Sequence, residues 1–380
     1  MIYLDNAATS FPKPPEVIEA VSAALAAPAS PGRSGHAASL QASRIIHRAR
    51  KNLAKLFGIK DNSRLVFMPN ITWALNAALD GLNLQPGDHV ISSAMEHNAA
   101  ARPLNRLAAE RGIVWEMAPA DSQGFSEPDD FKKLLRPQTR LLVLNHASNV
   151  TGTLAPAREI KAAIGEVPLL LDAAQTAGAL DLSEAGDWVD LLAFTGHKGL
   201  MGPTGTGGLY IRPGLNLRPL AVGGTGSASE SIEAPDFLPD AQEPGTANTH
   251  GLAGLAAGVE LVLKTGVERI RAHEMDLSKK FLDGLARIPG LRVWGPPDTE
   301  NRVATIAVTL QGYSSSDLSA ALERQAGILT RPGLHCAPLA HRHLGTLESG
   351  GSTRFSIGLY NSEEDIVATL ETLAGLAKQK

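Results

Sequence analysis

Cysteine is nearly absent from this chain, with Cys336 the single one in 380 residues. That excludes an internal disulfide framework and fits a reducing compartment. An excess of positive charge is also missing: 35 Lys and Arg stand against 39 Asp and Glu, a formal charge of −4, so no broad basic surface for nucleic acid is expected. No apolar run approaches the roughly 18 residues of a membrane span. The start, MIYLDNAATS, reaches Asp5 and Asn6 without the basic and apolar regions of a signal peptide. The alanine-rich segment Val21 to Ala29 is too short to change that reading. A cytoplasmic enzyme or binding protein is expected, long enough for two domains.

What the chain does have is alternation. The strand candidates are Arg64 to Met68, Asp88 to Ser93, Ile113 to Met117, Arg140 to Ala147, Pro168 to Gln175 and Asp190 to His197. Most are separated by segments that can form helix, such as Leu104 to Arg111, the pattern of an α/β fold with a mainly parallel sheet covered on both faces. From about Gly251 the pattern changes to longer helices, Gly251 to Thr265 and Val267 to Ile288, with strands at Leu291 to Gly295, Arg302 to Leu310 and Thr353 to Leu359. A helix at Ser315 to Gln325 and a capped helix at SEEDIVATLETLAGLAK complete a smaller α+β unit. The glycine-rich tract Gly223 to Asn248 reads as a long loop of functional type.

Ligands of such sheets collect at the carboxyl ends of the strands. Two of these ends carry complementary chemistry: LLLDAAQ ends its apolar run in Asp172, and TGHKGLMGPTG places Lys198 past the next strand, 26 residues later. A lysine at the mouth of a sheet can form a Schiff base, and a nearby carboxylate can keep the pyridine nitrogen of pyridoxal phosphate protonated. Taken singly, the two residues read equally as a turn-capping Asp and a solvated Lys; their pairing favours the cofactor. Exposed amides around Ile71 and Thr72, at the start of PNITWALNAALDG, can bind a phosphate, although Asn70 or Thr72 also serves as a plain N-cap. Thr195 and His197 can add side-chain donors. His97 follows the strand DHVISS, where an imidazole can stack on a ring or relay a proton. GPTGTGGLY resembles a dinucleotide loop only superficially, because its glycines precede a short strand instead of a helix.

The cysteine lies in RPGLHCAP, where Gly333, Pro332 and Pro338 read as loop. Residue type alone makes a free cysteine a small buried hydrophobe. Arg331 and His335 beside it favour a thiolate instead. A metal-binding protein is the alternative from a different class, with His335, Cys336, His341 and His343 as ligands. That spacing matches no familiar zinc signature and leaves Asp172 and Lys198 without a role.

YLDNAAT, MEHNA, HASNVTGT, LLLDAAQ, TGHKGLMGPTG, EPGTANT, RPGLHCAP and STRFSIGLYN occur in an order that resembles the class V aminotransferase-fold enzymes, specifically the cysteine desulfurase and selenocysteine lyase group, over nearly the whole chain. The resemblance implies the type I fold of pyridoxal-phosphate-dependent transferases. Residues 15–255 would form the large cofactor domain with a mainly parallel seven-stranded sheet; 1–14 and 256–380 would form a smaller α+β domain. It implies Lys198 as the lysine bonded to the cofactor, Asp172 at the pyridine nitrogen, Gln175 at the ring oxygen and His97 over the ring. Ile71, Thr72, Thr195 and His197 would hold the phosphate, with Thr246 reaching the neighbouring subunit's phosphate in a homodimer. Arg354, Asn149 and Arg331 would receive the substrate, L-cysteine or L-selenocysteine. Cys336 would be the persulfide-forming nucleophile on a mobile loop, passing sulfur to an acceptor, which can be a protein. Other reactions on the fold, such as selenocysteine or cystine lyase, epimerase or aminotransferase activity, stand second. Leu334 replaces a second histidine common in the group, Ile71 replaces a threonine, and LAHRHLGTLESGG after the cysteine is distinctive.

Overall fold

Short apolar runs closed by polar residues set the architecture. In the computed structural model, which describes residues 1–28, 31, 35–227 and 229–379, these runs become strands and the segments between them become helices. The chain starts with β1 (Ile2–Tyr3), α1 (Pro15–Ala26) and α2 (Ala37–Leu56). It continues through β2 (Leu65–Met68), α3 (Ile71–Gly81), β3 (His89–Ser93), α4 (Asn98–Arg111), β4 (Val114–Ala118), α5 (Pro128–Lys133) and β5 (Thr139–Asn145). Next come α6 (Ala157–Ile164), β6 (Leu169–Asp172), α7 (Ala185–Trp188), β7 (Leu191–Thr195) and β8 (Gly207–Ile211). The remainder is α8 (Thr249–Thr265), α9 (Val267–Leu285), β9 (Leu291–Trp294), β10 (Thr305–Leu310), α10 (Ser315–Ala326), β11 (Ile328–Leu329), β12 (Arg331–Gly333), α11 (Pro338–His343), β13 (Ser352–Ser356) and α12 (Glu363–Ala377).

A seven-stranded sheet runs in the order β2-β8-β7-β6-β5-β3-β4. Its pairs are parallel from β7 through to β4, and only β8 runs against its neighbours β2 and β7. This is the mainly parallel sheet that the sequence led us to expect. Strands β3, β6, β7 and β8 are buried along their whole length because helices cover both faces. On one face Leu53 of α2, Ile160 of α6 and Val259 of α8 pack with Leu142, Leu171 and Phe194. On the other, Leu75 of α3 and Leu104 of α4 pack with Val90, Val143 and Leu170. Each such leucine or valine contributes about 1.5–3 kcal/mol by leaving water.

A second sheet, in the order β12-β13-β10-β9, is antiparallel throughout. Its core joins Phe281 of α9, Ile306 of β10, Phe355 of β13 and Leu373 of α12, with the two phenylalanine rings edge-on at 5.1 Å. Helix α12 starts in a capping box of Ser362 and Asp365.

Two expectations need correction. Helix α4 begins at Asn98, six residues before Leu104, because His97 caps it and Pro103 is tolerated within it. The loop read at Arg331 to Pro338 is only the turn 334–337: Arg331–Gly333 is a strand and Pro338 opens α11. Pro332 can join a sheet there because β12 is an edge strand, and Pro338 sits at a first helical position where no N–H is needed. In the tract Gly223 to Asn248 the described residues are irregular apart from a short turn of helix at Asp240–Gln242, while Ala228 lies outside the described residues. In Val21 to Ala29, α1 runs to Ala26, and Ala29 lies outside the described residues.

Candidate active site

The carboxyl ends of β3, β6 and β7 gather the titratable residues. Asp172 is the last residue of β6 and is buried, with Oδ1 accepting from the Ala174 amide at 2.9 Å. Burial pushes its pKa up, opposed by that amide and by Lys198. Lys198 follows the end of β7 in the turn Gly196 to Lys198, and its Nζ has no hydrogen-bond partner among the described residues. Burial lowers this amine to about 8 while Asp172 works against the shift. The lysine is thus a readily deprotonated amine beside a carboxylate, as a covalent cofactor site requires.

His97 caps α4, its Nδ1 accepting from the Ala99 amide at 3.0 Å. Burial, then the charges of Lys198, Arg331 and Arg354, hold the ring down at about 4, so it is neutral at physiological pH. Arg102 adds to the same effect. A cleft of about 350 Å³ is lined by His97, Thr72, Asn98, Arg102, Arg106 and Cys336.

Cys336 is exposed, against the expectation for a free cysteine by residue type. Its sulfur lies 3.5 Å from Nη2 of Arg331. His335 and Cys336 both take left-handed backbone angles, φ 51° and 56°, which cost non-glycine residues roughly 1 kcal/mol or more each. The turn is tied on both sides: Asn149 Nδ2 donates to the His335 carbonyl at 2.7 Å, and the Asn98 amide to the Cys336 carbonyl at 2.8 Å. The metal alternative finds no support in this arrangement. His335 and His341 bond to each other at 3.2 Å and His343 Nε2 donates to the Asp121 carbonyl. Among the described residues no group of three His, Cys, Asp or Glu is placed to hold an ion.

Arg354, on β13, is fully buried. Its Nη1 donates to the Asn149 carbonyl at 3.0 Å and its Nη2 meets Asp5 Oδ1 at 2.6 Å. Gln175 donates from Nε2 to the Ala7 carbonyl at 3.2 Å and lines a cavity with Lys198. Ile71 and Thr72 open α3, where the Asn70 side chain accepts from the Trp73 amide. Thr246 is exposed and lies apart from this cleft's lining.

Several contributors have no role legible in the sequence, although Asp5 and Glu96 lie within YLDNAAT and MEHNA. Asp5 is the carboxylate at Arg354. Glu96 is wholly buried, accepting from Ser93 Oγ at 2.7 Å and the Asn145 amide at 2.8 Å, and burial raises it to about 8. Protonated near neutrality, Glu96 adds no full negative charge beside Asp172. Lys13 Nζ, Thr9 Oγ1 and the Ser10 amide all donate to the His197 carbonyl, fixing the turn that carries Lys198.

The donor set fits pyridoxal phosphate. Thr195 Oγ1 and His197 Nδ1 are buried without a partner among the described residues, beside a desolvated lysine and a buried carboxylate. Buried polar groups of this kind need a ligand or water to satisfy them. The sequence profile of the Aminotransferase class-V family matches residues 2–368. The chain belongs to the class-V aminotransferase family.

Within that family, a probable cysteine desulfurase of Methanothermobacter thermautotrophicus is 32% identical, covering 99% of this chain and 95% of the relative. A cysteine desulfurase of Escherichia coli is 32% identical over 96% of this chain and 91% of its own length. Among solved structures, the apo cysteine desulfurase from Thermococcus onnurineus superposes with a TM-score of 0.93 at 30% identity, covering 100% of this chain and 95% of that one. The Escherichia coli cysteine desulfurase CsdA, in an S-sulfonic acid form, gives 0.87 at 28% identity, covering 99% and 94%. These likenesses run the length of this class-V aminotransferase chain, so both sheets belong to the shared fold.

Proposed function

We propose that the chain is a pyridoxal-phosphate-dependent cysteine desulfurase, converting L-cysteine to L-alanine and holding the sulfur as a persulfide on Cys336. The observation that carries this reading is the shared cleft: an exposed thiol beside Arg331 opens onto the space lined by His97, whose ring is kept neutral by burial and by the charges of Lys198, Arg331, Arg354 and Arg102.

Lys198 would hold the cofactor, Asp172 its ring nitrogen, Gln175 its ring oxygen, and Thr195, His197 and the amides of Ile71 and Thr72 its phosphate. Bound there, pyridoxal phosphate would supply a sink for the electron pair of the substrate's Cα–H bond. Lys198, as a free amine, would take the α proton and later return it to Cα; its lowered pKa suits that work near neutrality. Arg354 orients the substrate carboxylate with Asn149 and Arg331, as its pairing with the Asp5 carboxylate suggests.

The Cys336 thiolate attacks the substrate sulfur. A sulfur–sulfur bond forms, the carbon–sulfur bond breaks, and its electron pair stays with the substrate carbon, which is protonated to the methyl group of alanine. The transferred sulfur is oxidised as the carbon is reduced, so no outside oxidant is needed.

Residues 15–255 are assigned to the cofactor domain, and 1–14 with 256–380 to the domain carrying Cys336 and Arg354. A homodimer with Thr246 at the partner's phosphate is proposed, supported by the exposure of Ile232 and Phe237 in the same glycine-rich tract and of Val222 just before it. No helix among the described residues is long and apolar enough to cross a membrane. A cytoplasmic enzyme serving a sulfur-acceptor protein is the reading we adopt. Incubation with L-cysteine and L-selenocysteine, assaying alanine with sulfide or selenide, tests it; alanine from L-selenocysteine alone would replace desulfurase by selenocysteine lyase.

A further inference from the structure

The segment LAHRHLGTLESGG after the cysteine contains a buried hydrogen-bond chain. Thr346 Oγ1 lies 2.7 Å from His341 Nδ1, His341 Nε2 lies 3.2 Å from His335 Nδ1, and His335 Nε2 lies 3.0 Å from the Arg331 carbonyl. All three side chains are buried. Burial holds both rings far below the ordinary histidine range, His341 at about 4, so both are neutral near pH 7.

Neutrality and a single carbonyl fix every hydrogen. The Arg331 carbonyl can only accept, so His335 Nε2 carries the proton and His335 Nδ1 must accept. His341 Nε2 is then the donor and His341 Nδ1 the acceptor. The Thr346 hydroxyl therefore donates to His341, at 2.7 Å, in preference to the His341 carbonyl at 3.4 Å. A chain that ends on an amide carbonyl has nowhere to deliver a proton. Its role is geometric.

That geometry acts on the thiol. His335 precedes Cys336 in the left-handed turn, while its ring pins the backbone of Arg331, whose guanidinium reaches the Cys336 sulfur at 3.5 Å. One side chain thus fixes both ends of the sulfur–guanidinium contact. We propose that Thr346, His341 and His335 are positioning residues that hold the Cys336 sulfur against Arg331, in place to attack the substrate. The proposal rests on Cys336 being the sulfur-accepting thiol.

As the chain has one cysteine, iodoacetamide reports on Cys336 alone. The test is the rate of alkylation at one fixed pH in the purified holoenzyme, for wild type, Thr346→Val, Thr346→Ser and His341→Leu, with steady-state kinetics on L-cysteine. The charged and titratable groups that face the thiol or share its cleft, Arg331, His97, Arg102 and Arg106, are unchanged in all four. In Thr346→Val and His341→Leu alkylation should slow about fivefold as the guanidinium contact loosens. Their kcat should fall about tenfold with KM little changed, and Thr346→Ser should restore both. A wild-type alkylation rate in folded Thr346→Val overturns the proposal, whether or not turnover falls; if His341→Leu does not fold, the Val and Ser pair decides alone. If the alkylation rate falls but the wild type never forms a persulfide, the positioning chain stands and the desulfurase reading falls.

Discussion

Arg354 Nη2 meets Asp5 Oδ1 at 2.6 Å, joining β13 to the first residues of the chain. The guanidinium is fully buried and the carboxylate only partly so. Removing one partner leaves a buried cation uncompensated, which costs about 3 kcal/mol or more. Asp5→Ala should lower the urea midpoint accordingly, whereas Asp5→Asn keeps an acceptor and should lose less. Equal midpoints for wild type and Asp5→Ala would show that the pair does not stabilise the fold.

Arg354→Lys keeps the charge but not the planar fork. KM for L-cysteine should rise about tenfold or more, with a smaller change in kcat, in steady-state assays. An unchanged KM would remove Arg354 from the substrate carboxylate site.

Lys198 should react with pyridoxal phosphate as the free amine. With its pKa lowered to about 8, the rate of cofactor uptake by apoprotein should level off just above pH 8, where an ordinary lysine would still be gaining reactivity up to 10.5. Borohydride reduction should place the adduct on the peptide containing Lys198. An adduct on another lysine would contradict the assignment.

Much of this site was legible before the fold. The strand ends at Asp172 and Lys198 follow from apolar runs closed by polar residues, and those runs are readable because a sheet buried on both faces needs continuous leucine and valine. Strand β12 was hidden because two of its three residues are Pro332 and Gly333, which ordinarily mark loops and are tolerated here only at a sheet edge. The Asp5–Arg354 pair spans almost the whole chain and leaves no local pattern. His335 and His341 carried a signal, but metal ligation and mutual hydrogen bonding use the same residues, and only coordinates separate them.

Stability should peak near pH 6.5 within the range 4.5 to 8. His97, His146, His197 and His341 are lowered to about 4, so the unfolded chain binds more protons than the folded one between about 4 and 6.5. Their contribution is complete above that window and is lost as pH falls through it. Glu96 and Glu274 are raised to about 8, so the folded chain keeps protons that the unfolded chain releases, and stability falls as pH rises toward 8. Glu96→Gln should flatten the alkaline limb of urea midpoint against pH. A midpoint rising steadily to pH 8 would contradict this balance.

The thiol is where the chemistry of this chain ends, and it can be read directly. After a single turnover with L-cysteine under anaerobic conditions, intact-protein and peptide mass spectrometry should find one added sulfur atom on Cys336, matched by one equivalent of alanine. Cys336→Ala should bind the cofactor and L-cysteine yet release almost no alanine. Wild-type alanine formation by Cys336→Ala, or turnover of the wild type with no sulfur gained at Cys336, would contradict the account.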